Sequence, residues 1–265
     1  MYVYEGRSDL GYKRRFNEDY LYIKNLDKTG NTEDYLAMVL DGNGTNVGRN
    51  DNPDMKIMPA TLIAHEISSV INSIYENNKE MLFNYPTDCL KLAVNCANKV
   101  LGGFKMGNEE DYGGFSSAIT IYFLHNDTVY YLHAGNTRLY LLRVMEDNTT
   151  KFMQLTKDQT KAQGLVDAGL ISPADYYINP DRLTLYSGLG IFSNPEFQTG
   201  TIPLKPHDIL LLTTDGIHYA LSQNDIENII YNNKTLENAV EQMINDAINF
   251  KIIDNMTALM MYRAN

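Results

Sequence analysis

"YLAMVLDGNGTN", residues 35–46, is an aromatic and branched apolar run that stops on a carboxylate and passes at once into Gly-Asn-Gly. The run predicts a buried strand over 35–41. A charged group at the end of such a strand loses hydration and needs a partner. The glycine after Asp41 lets the backbone approach that partner closely.

The same arrangement recurs along the chain. Asp215 ends a predicted strand in "DILLLTTDG" (208–216), Asp254 opens one over 255–263, and Glu18 and Asp19 open one over 20–25. Taken singly, the Asp-Gly pairs at 41–42 and 215–216 read as turns. Four strand-end carboxylate positions together point to a shared cation. All-oxygen ligands suit Mg²⁺ or Mn²⁺ rather than zinc.

Between these positions, "PATLIAHEISSVINSIY" (59–75) predicts a helix with Pro59 in its first turn and Ile63, Ile67, Val70, Ile71 and Ile74 on one face. A second helix is predicted over 86–101, with Leu90, Val94, Ala97 and Leu101 on one side. Strands are predicted over 115–124, 128–135, 137–144 and 151–156, with "HND" and "GN" as tight turns. Polar loops are predicted over 46–58 and 105–114, and short helices and loops over 158–190. Ser222 and Asp225 suggest a capping box, and 236–250 an amphipathic helix. Strands, then helices, then strands again imply an α+β fold of two antiparallel sheets with helices outside.

The chain of 265 residues is long enough for a sizeable core, and its 21% charged residues are ordinary for a globular protein. A net charge of −11 argues against binding nucleic acid or anionic membrane non-specifically. Cys89 and Cys96 share a helix face at a spacing too long for a disulfide and read as reduced. The N-terminus lacks the pattern of a signal peptide, and no apolar run is long enough to span a bilayer, so the expected location is cytoplasmic.

Other chemistries fail on spacing. Six residues after Cys89 and Cys96 stand Asn95 and Gly102, not the Arg of a cysteine-dependent phosphatase. "HEISS" (65–69) lacks the second His of a zinc-protease helix, so His65 is read as an ordinary helix residue. "GFSSA" (114–118) lacks the last Gly of a nucleophile elbow. "GNGTNV" (42–47) lacks the third Gly of a dinucleotide loop, and no Gly-Lys-Ser/Thr occurs. The five His residues show no ligand spacing.

"GYKRRFNEDYL" (11–21), "LDGNG" (40–44), "GGFSSAITIY" (113–122), "HAGNTRLYLL" (133–142), "LTKDQT" (155–160), "LTTDGI" (212–217) and "DNMTALMM" (254–261) occur in this order. Together they resemble the metal-dependent protein phosphatases, type 2C, and residues 165–190 resemble the flap segment of the bacterial Ser/Thr branch. The resemblance covers essentially the whole chain. It implies a four-layer αββα sandwich forming a single catalytic domain over 1–265, with a flap-like segment at about 158–190. It also implies hydrolysis of phosphoserine and phosphothreonine in proteins, by water activated at a two-metal centre that attacks the phosphorus in line.

In this sequence Asp41 would then bridge two Mg²⁺ or Mn²⁺ ions, the Gly42 carbonyl would bind one, and Asp215 and Asp254 the other. Glu18 and Asp19 would bind metal or its waters, and Arg14 the phosphate. Phosphorylated proteins, and a Ser/Thr kinase whose action is reversed, would be the partners. Four positions depart from the family pattern. Asn43 replaces a His proposed as the acid for the leaving group in many eukaryotic members, and Asn136 replaces an Asp that helps hold a third ion, which is expected to bind weakly or not at all. Gln159 and Asn179 replace His residues. The loop after Asn46 is longer and more polar than usual. These departures leave a second reading, a phosphatase-like module that binds metal and phosphoprotein with little turnover.

Overall fold

A computed structural model describes residues 1–44, 58–106, 113–147, 149–251 and 253–264. The polar stretch after Asn46 and most of the loop 105–114 lie outside the described residues.

Strand β3 (Tyr35–Asn43) shows how the layers arise. Alternate residues of a strand point to opposite faces. Leu36, Met38 and Leu40 pack on helices α1 (Pro59–Asn77) and α3 (Pro86–Lys105), whereas Ala37 and Val39 face the opposite sheet. Helix α1 opens on Pro59, as predicted, and buries Ile63, Ile67 and Ile71 fully, each contributing about 1.5–3 kcal/mol relative to exposure. Val70 and Ile74 pack partly on the same core.

Strand β3 lies in a sheet ordered β2-β3-β4-β5-β8, with β2 Tyr20–Asn25, β4 Ser116–His125, β5 Thr128–Ala134 and β8 Gln198–Pro203. The second sheet is ordered β1-β10-β9-β6-β7, with β1 Tyr2–Asp9, β6 Arg138–Val144, β7 Thr150–Gln154, β9 Ile209–Thr213 and β10 Met256–Arg263. Every pairing is antiparallel. Side chains such as Tyr122, Tyr131, Leu139, Leu210, Leu212 and Leu259 fill the space between the sheets. Helices α2 (Lys79–Asn84), α1 and α3 cover the first sheet. Helices α5 (Asp215–His218), α6 (Gln223–Asn232) and α7 (Leu236–Asn249) cover the second. Helix α4 (Lys161–Asp167) and two 3-10 turns occupy the segment 158–190. This is the expected αββα sandwich, and Ser222 and Asp225 form the predicted capping box.

One turn reading holds and three local readings change. The "HND" turn is a two-residue hairpin, with Asn126 and Asp127 at φ 47° and 57°. The "GN" turn is not a hairpin: β5 and β6 belong to different sheets, and the chain crosses between them at Gly135 (φ 107°). Strand β3 does not stop at Asp41 but pairs on through Asn43, opposite Ser116. Asp215 does not end a strand; it starts the one-turn helix α5. Strands β1 and β8 and helix α2 had no predicted counterpart.

Candidate metal centre

Register places the predicted carboxylates at one end of the sandwich. Asp41 lies near the end of β3 on the face shared with Ala37 and Val39, so its side chain enters the space between the sheets. Glu18 and Asp19 precede β2, whose Tyr20 pairs with Leu40. Asp254 precedes β10 and Asp215 follows β9, and these strands pair at Ala258 and Thr213. Gly42 points the other way, and a Cβ there would lie 2.5 Å from the Glu18 carbonyl and 3.2 Å from the Ala60 side chain. The Gly42 N–H donates to that carbonyl at 3.2 Å, so glycine is needed for a close approach of two chain segments.

Asp254, Asp215 and Asp19 have defined side-chain partners, and Glu18 is held through its backbone. Arg14 Nη2 lies 2.8 Å from Asp254 Oδ1. Asn136 Nδ2 donates to Asp215 Oδ2 at 3.0 Å. Asp19 Oδ2 accepts from the hydroxyls of Thr214 at 2.7 Å and Thr257 at 2.8 Å. Glu18 is 2% exposed, and its N–H donates to Asn255 Oδ1 at 2.9 Å.

Burial pushes the Asp41 carboxyl well above the usual range, and the charges of Asp215, Asp19 and Asp254 add to the shift while Arg14 opposes it. Burial likewise raises Asp19, against the pull of its two threonine hydroxyls, and Asp215 and Asp254 raise it further. Asp215 is raised by burial and by Asp254, with Asn136 and Arg182 acting in the opposite sense. Burial alone would lower Arg14, but Asp254, Glu18 and Asp41 hold it above its ordinary value. The predicted residues Arg14, Glu18, Asp19, Asp41, Asp215 and Asp254 therefore share one electrostatic environment.

That environment suits hard divalent cations. Its acidic donors are all oxygens, and burial, with mutual repulsion adding to it, raises Asp19, Asp41 and Asp215, an effect that a bound cation would oppose. Among the described residues, no group of three or more His, Cys, Asp or Glu is disposed to hold an ion by itself. Mg²⁺-like ions tolerate this, because they keep several waters and use only one or two carboxylates each. Arg14 Nε is buried without a hydrogen-bond partner, a donor left over for an anion.

Sequence reading missed the residues that hold the acids in place: Thr214, Thr257 and Asn255. Their signal lay inside motifs already noted, "LTTDGI" and "DNMTALMM", as polar side chains beside Asp215 and Asp254. It also missed the lock on the flap-like segment. Buried Arg138 donates from Nε and Nη2 to Asp158 Oδ1 and Oδ2, both at 2.8 Å, and Tyr176 donates to the same carboxylate. Tyr219, in the turn after α5, donates to the Arg182 carbonyl at 3.0 Å while the Arg182 guanidinium lies 4.3 Å from its ring centre. Cys89 and Cys96 are free thiols, and His65 is an exposed residue of α1.

A family model described as Stage II sporulation protein E (SpoIIE) matches residues 170–263. Protein phosphatase PhpP of Streptococcus pneumoniae is 24% identical over 252 residues, covering 94% of this chain and 93% of that protein. A serine/threonine phosphatase structure from S. agalactiae superposes with TM-score 0.80 at 20% identity, covering 99% of this chain and 100% of that one. The catalytic domain of the serine/threonine protein phosphatase PstP, solved in complex with two manganese ions, does so with TM-score 0.76 at 22% identity, covering 100% and 99%. In sequence over nearly its whole length this chain is similar to a bacterial protein phosphatase, and in fold it is similar to these serine/threonine phosphatase structures.

Proposed function

We propose that this protein is a cytoplasmic Mg²⁺- or Mn²⁺-dependent phosphoserine/phosphothreonine protein phosphatase, with one catalytic domain over 1–265. The observation that carries the reading is the convergence of Asp19, Asp41, Asp215 and Asp254 beside Arg14 at one end of the sandwich. Two ions would be held by Asp41 with the Gly42 carbonyl and by Asp215 with Asp254, and Glu18 and Asp19 would hold metal or its waters. When bound, such ions lower the pKa of water towards neutrality and neutralise phosphoryl charge.

The chain's own residues do the rest. Arg14 offers its guanidinium, including the unpartnered Nε, to phosphate oxygens. Asn136 keeps Asp215 oriented as a hydrogen-bond donor and is a poor metal ligand in that pose, so a third ion is expected to bind weakly or not at all. Asn43 cannot donate a proton to a leaving alkoxide, so phosphoserine and phosphothreonine should be slower substrates than aryl phosphates. A cognate Ser/Thr kinase and its protein substrates are the natural partners. No helix among the described residues is long and apolar enough to cross a membrane.

The test is hydrolysis of p-nitrophenyl phosphate and a phosphothreonyl peptide with Mn²⁺, with and without chelator. Mn²⁺-dependent turnover of both, with at least about 100-fold loss in Asp215→Asn, is expected. Turnover that ignores chelator, or an Asp215→Asn variant as active as wild type, overturns the reading. Metal binding without turnover favours the phosphoprotein-binding module instead.

A further inference from the structure

Asn255 joins three segments of the candidate site through one amide. The residue is 3% exposed. Its Nδ2 donates one hydrogen to the Leu10 carbonyl at 2.8 Å and the other to the Phe16 carbonyl at 3.1 Å, while Oδ1 accepts from Glu18 N–H at 2.9 Å. Both donors and the acceptor are thus engaged with backbone, none with solvent.

The two carbonyls mark the two ends of the loop 10–16, which carries Arg14. Within that loop a Cβ on Gly11 would lie 2.0 Å from the Asp254 carbonyl, and a Cβ on Gly216 would lie 2.0 Å from the carbonyl of Asn255 itself. The loop, Asp254 and the turn that starts with Asp215 therefore meet at Asn255. Arg14 then reaches across the closed loop to Asp254 at 2.8 Å.

We propose that Asn255 is a positioning residue: its amide closes the loop 10–16 and so aims Arg14 at the substrate phosphate. The aiming rests on the reading of Arg14 given above; the closure rests on the hydrogen bonds alone. Only an amide fits the role. A carboxylate has the acceptor for Glu18 but neither donor for the loop, and it adds charge beside Asp254.

Two experiments test this. Lys13, Arg14 and Arg15 make the loop a trypsin target, so closure can be read in the metal-free protein. Asn255→Asp, which keeps the side-chain volume, and Asn255→Ala should each speed cleavage at 13–15 by roughly tenfold or more, with other sites cut at the wild-type rate. Unchanged cleavage at 13–15, or a rise shared by every site, overturns the proposal. So does global unfolding of both variants, which would make Asn255 a stability residue only.

In the Mn²⁺-loaded enzyme, Asn255→Asp should raise KM for p-nitrophenyl phosphate and the inhibition constant of inorganic phosphate by about tenfold, with kcat changed much less. In an Arg14→Ala background that KM effect should vanish, because the two residues act through one contact. Full additivity overturns the aiming. A normal KM in Arg14→Ala alone overturns the reading of Arg14, and loop cleavage then judges the closure separately.

Discussion

Asn136 illustrates how one atom changes a site. Its amide nitrogen faces Asp215 at 3.0 Å, so an Asp in its place would set two carboxylates against each other. Asn136→Asp should therefore lower the melting temperature of the metal-free protein, and it should raise the Mn²⁺ stoichiometry in titration calorimetry from two towards three. His133 makes a different residue-scale prediction. Its Nε2–H donates to the Lys157 carbonyl at 3.1 Å, and its Nδ1 accepts from Thr120, 3.0 Å away, whose hydroxyl also meets Thr137 at 2.7 Å. This network accepts the neutral ring. Burial lowers the pKa to about 4, against smaller opposing effects from Asp158 and nearby carbonyls. An unfolded His titrates near 6.5. Below that pH the unfolded chain binds a proton that the folded chain refuses, so stability falls as pH drops from about 6.5 towards 4. The loss attributable to His133 is on the order of 3 kcal/mol, and denaturant titrations should show it shrinking in His133→Gln.

At the scale of elements, the crossing between β5 and β6 brings Asn136 to Asp215. Gly135 has φ 107°, and a Cβ there would lie 2.4 Å from the Ala118 side chain. Backbone strain and overpacking together predict that Gly135→Ala costs roughly 3 kcal/mol or more, read as a lower urea midpoint with unchanged slope. Activity should fall with it, since Asn136 is the next residue. The two Asp-Gly turns proved unlike each other. At 41–42 the strand continues, whereas at 215–216 a one-turn helix begins. Dipeptide chemistry is compatible with both, and only pairing with Ser117, or its absence, separates them.

For the whole molecule, the clustered carboxylates predict a stability that depends on cations. Mn²⁺ at about 100 times its dissociation constant should stabilise the fold by about 2.7 kcal/mol per site, visible as a rise in melting temperature that chelator reverses. Asp215→Asn should blunt that rise. An unchanged melting temperature at millimolar Mn²⁺ would contradict the metal centre.

The amphipathic helices, the apolar strand runs and the order of the phosphatase motifs were all legible in the sequence, because each depends on side-chain periodicity or spacing within a few residues. Candidate carboxylates were legible too, since a charge at the border of an apolar run stands out locally. Their convergence was suggested by the repeated strand-end pattern and the family resemblance, but periodicity could not derive it. It needs two sheets to stack with β3, β9 and β10 in register, and the chain to cross sheets at Gly135. The clamp on the Arg14 loop was beyond sequence reasoning for the same reason. Asn255 and Glu18 stand 237 positions apart, and a hydrogen bond at that separation exists only once the fold has brought the two chain ends together.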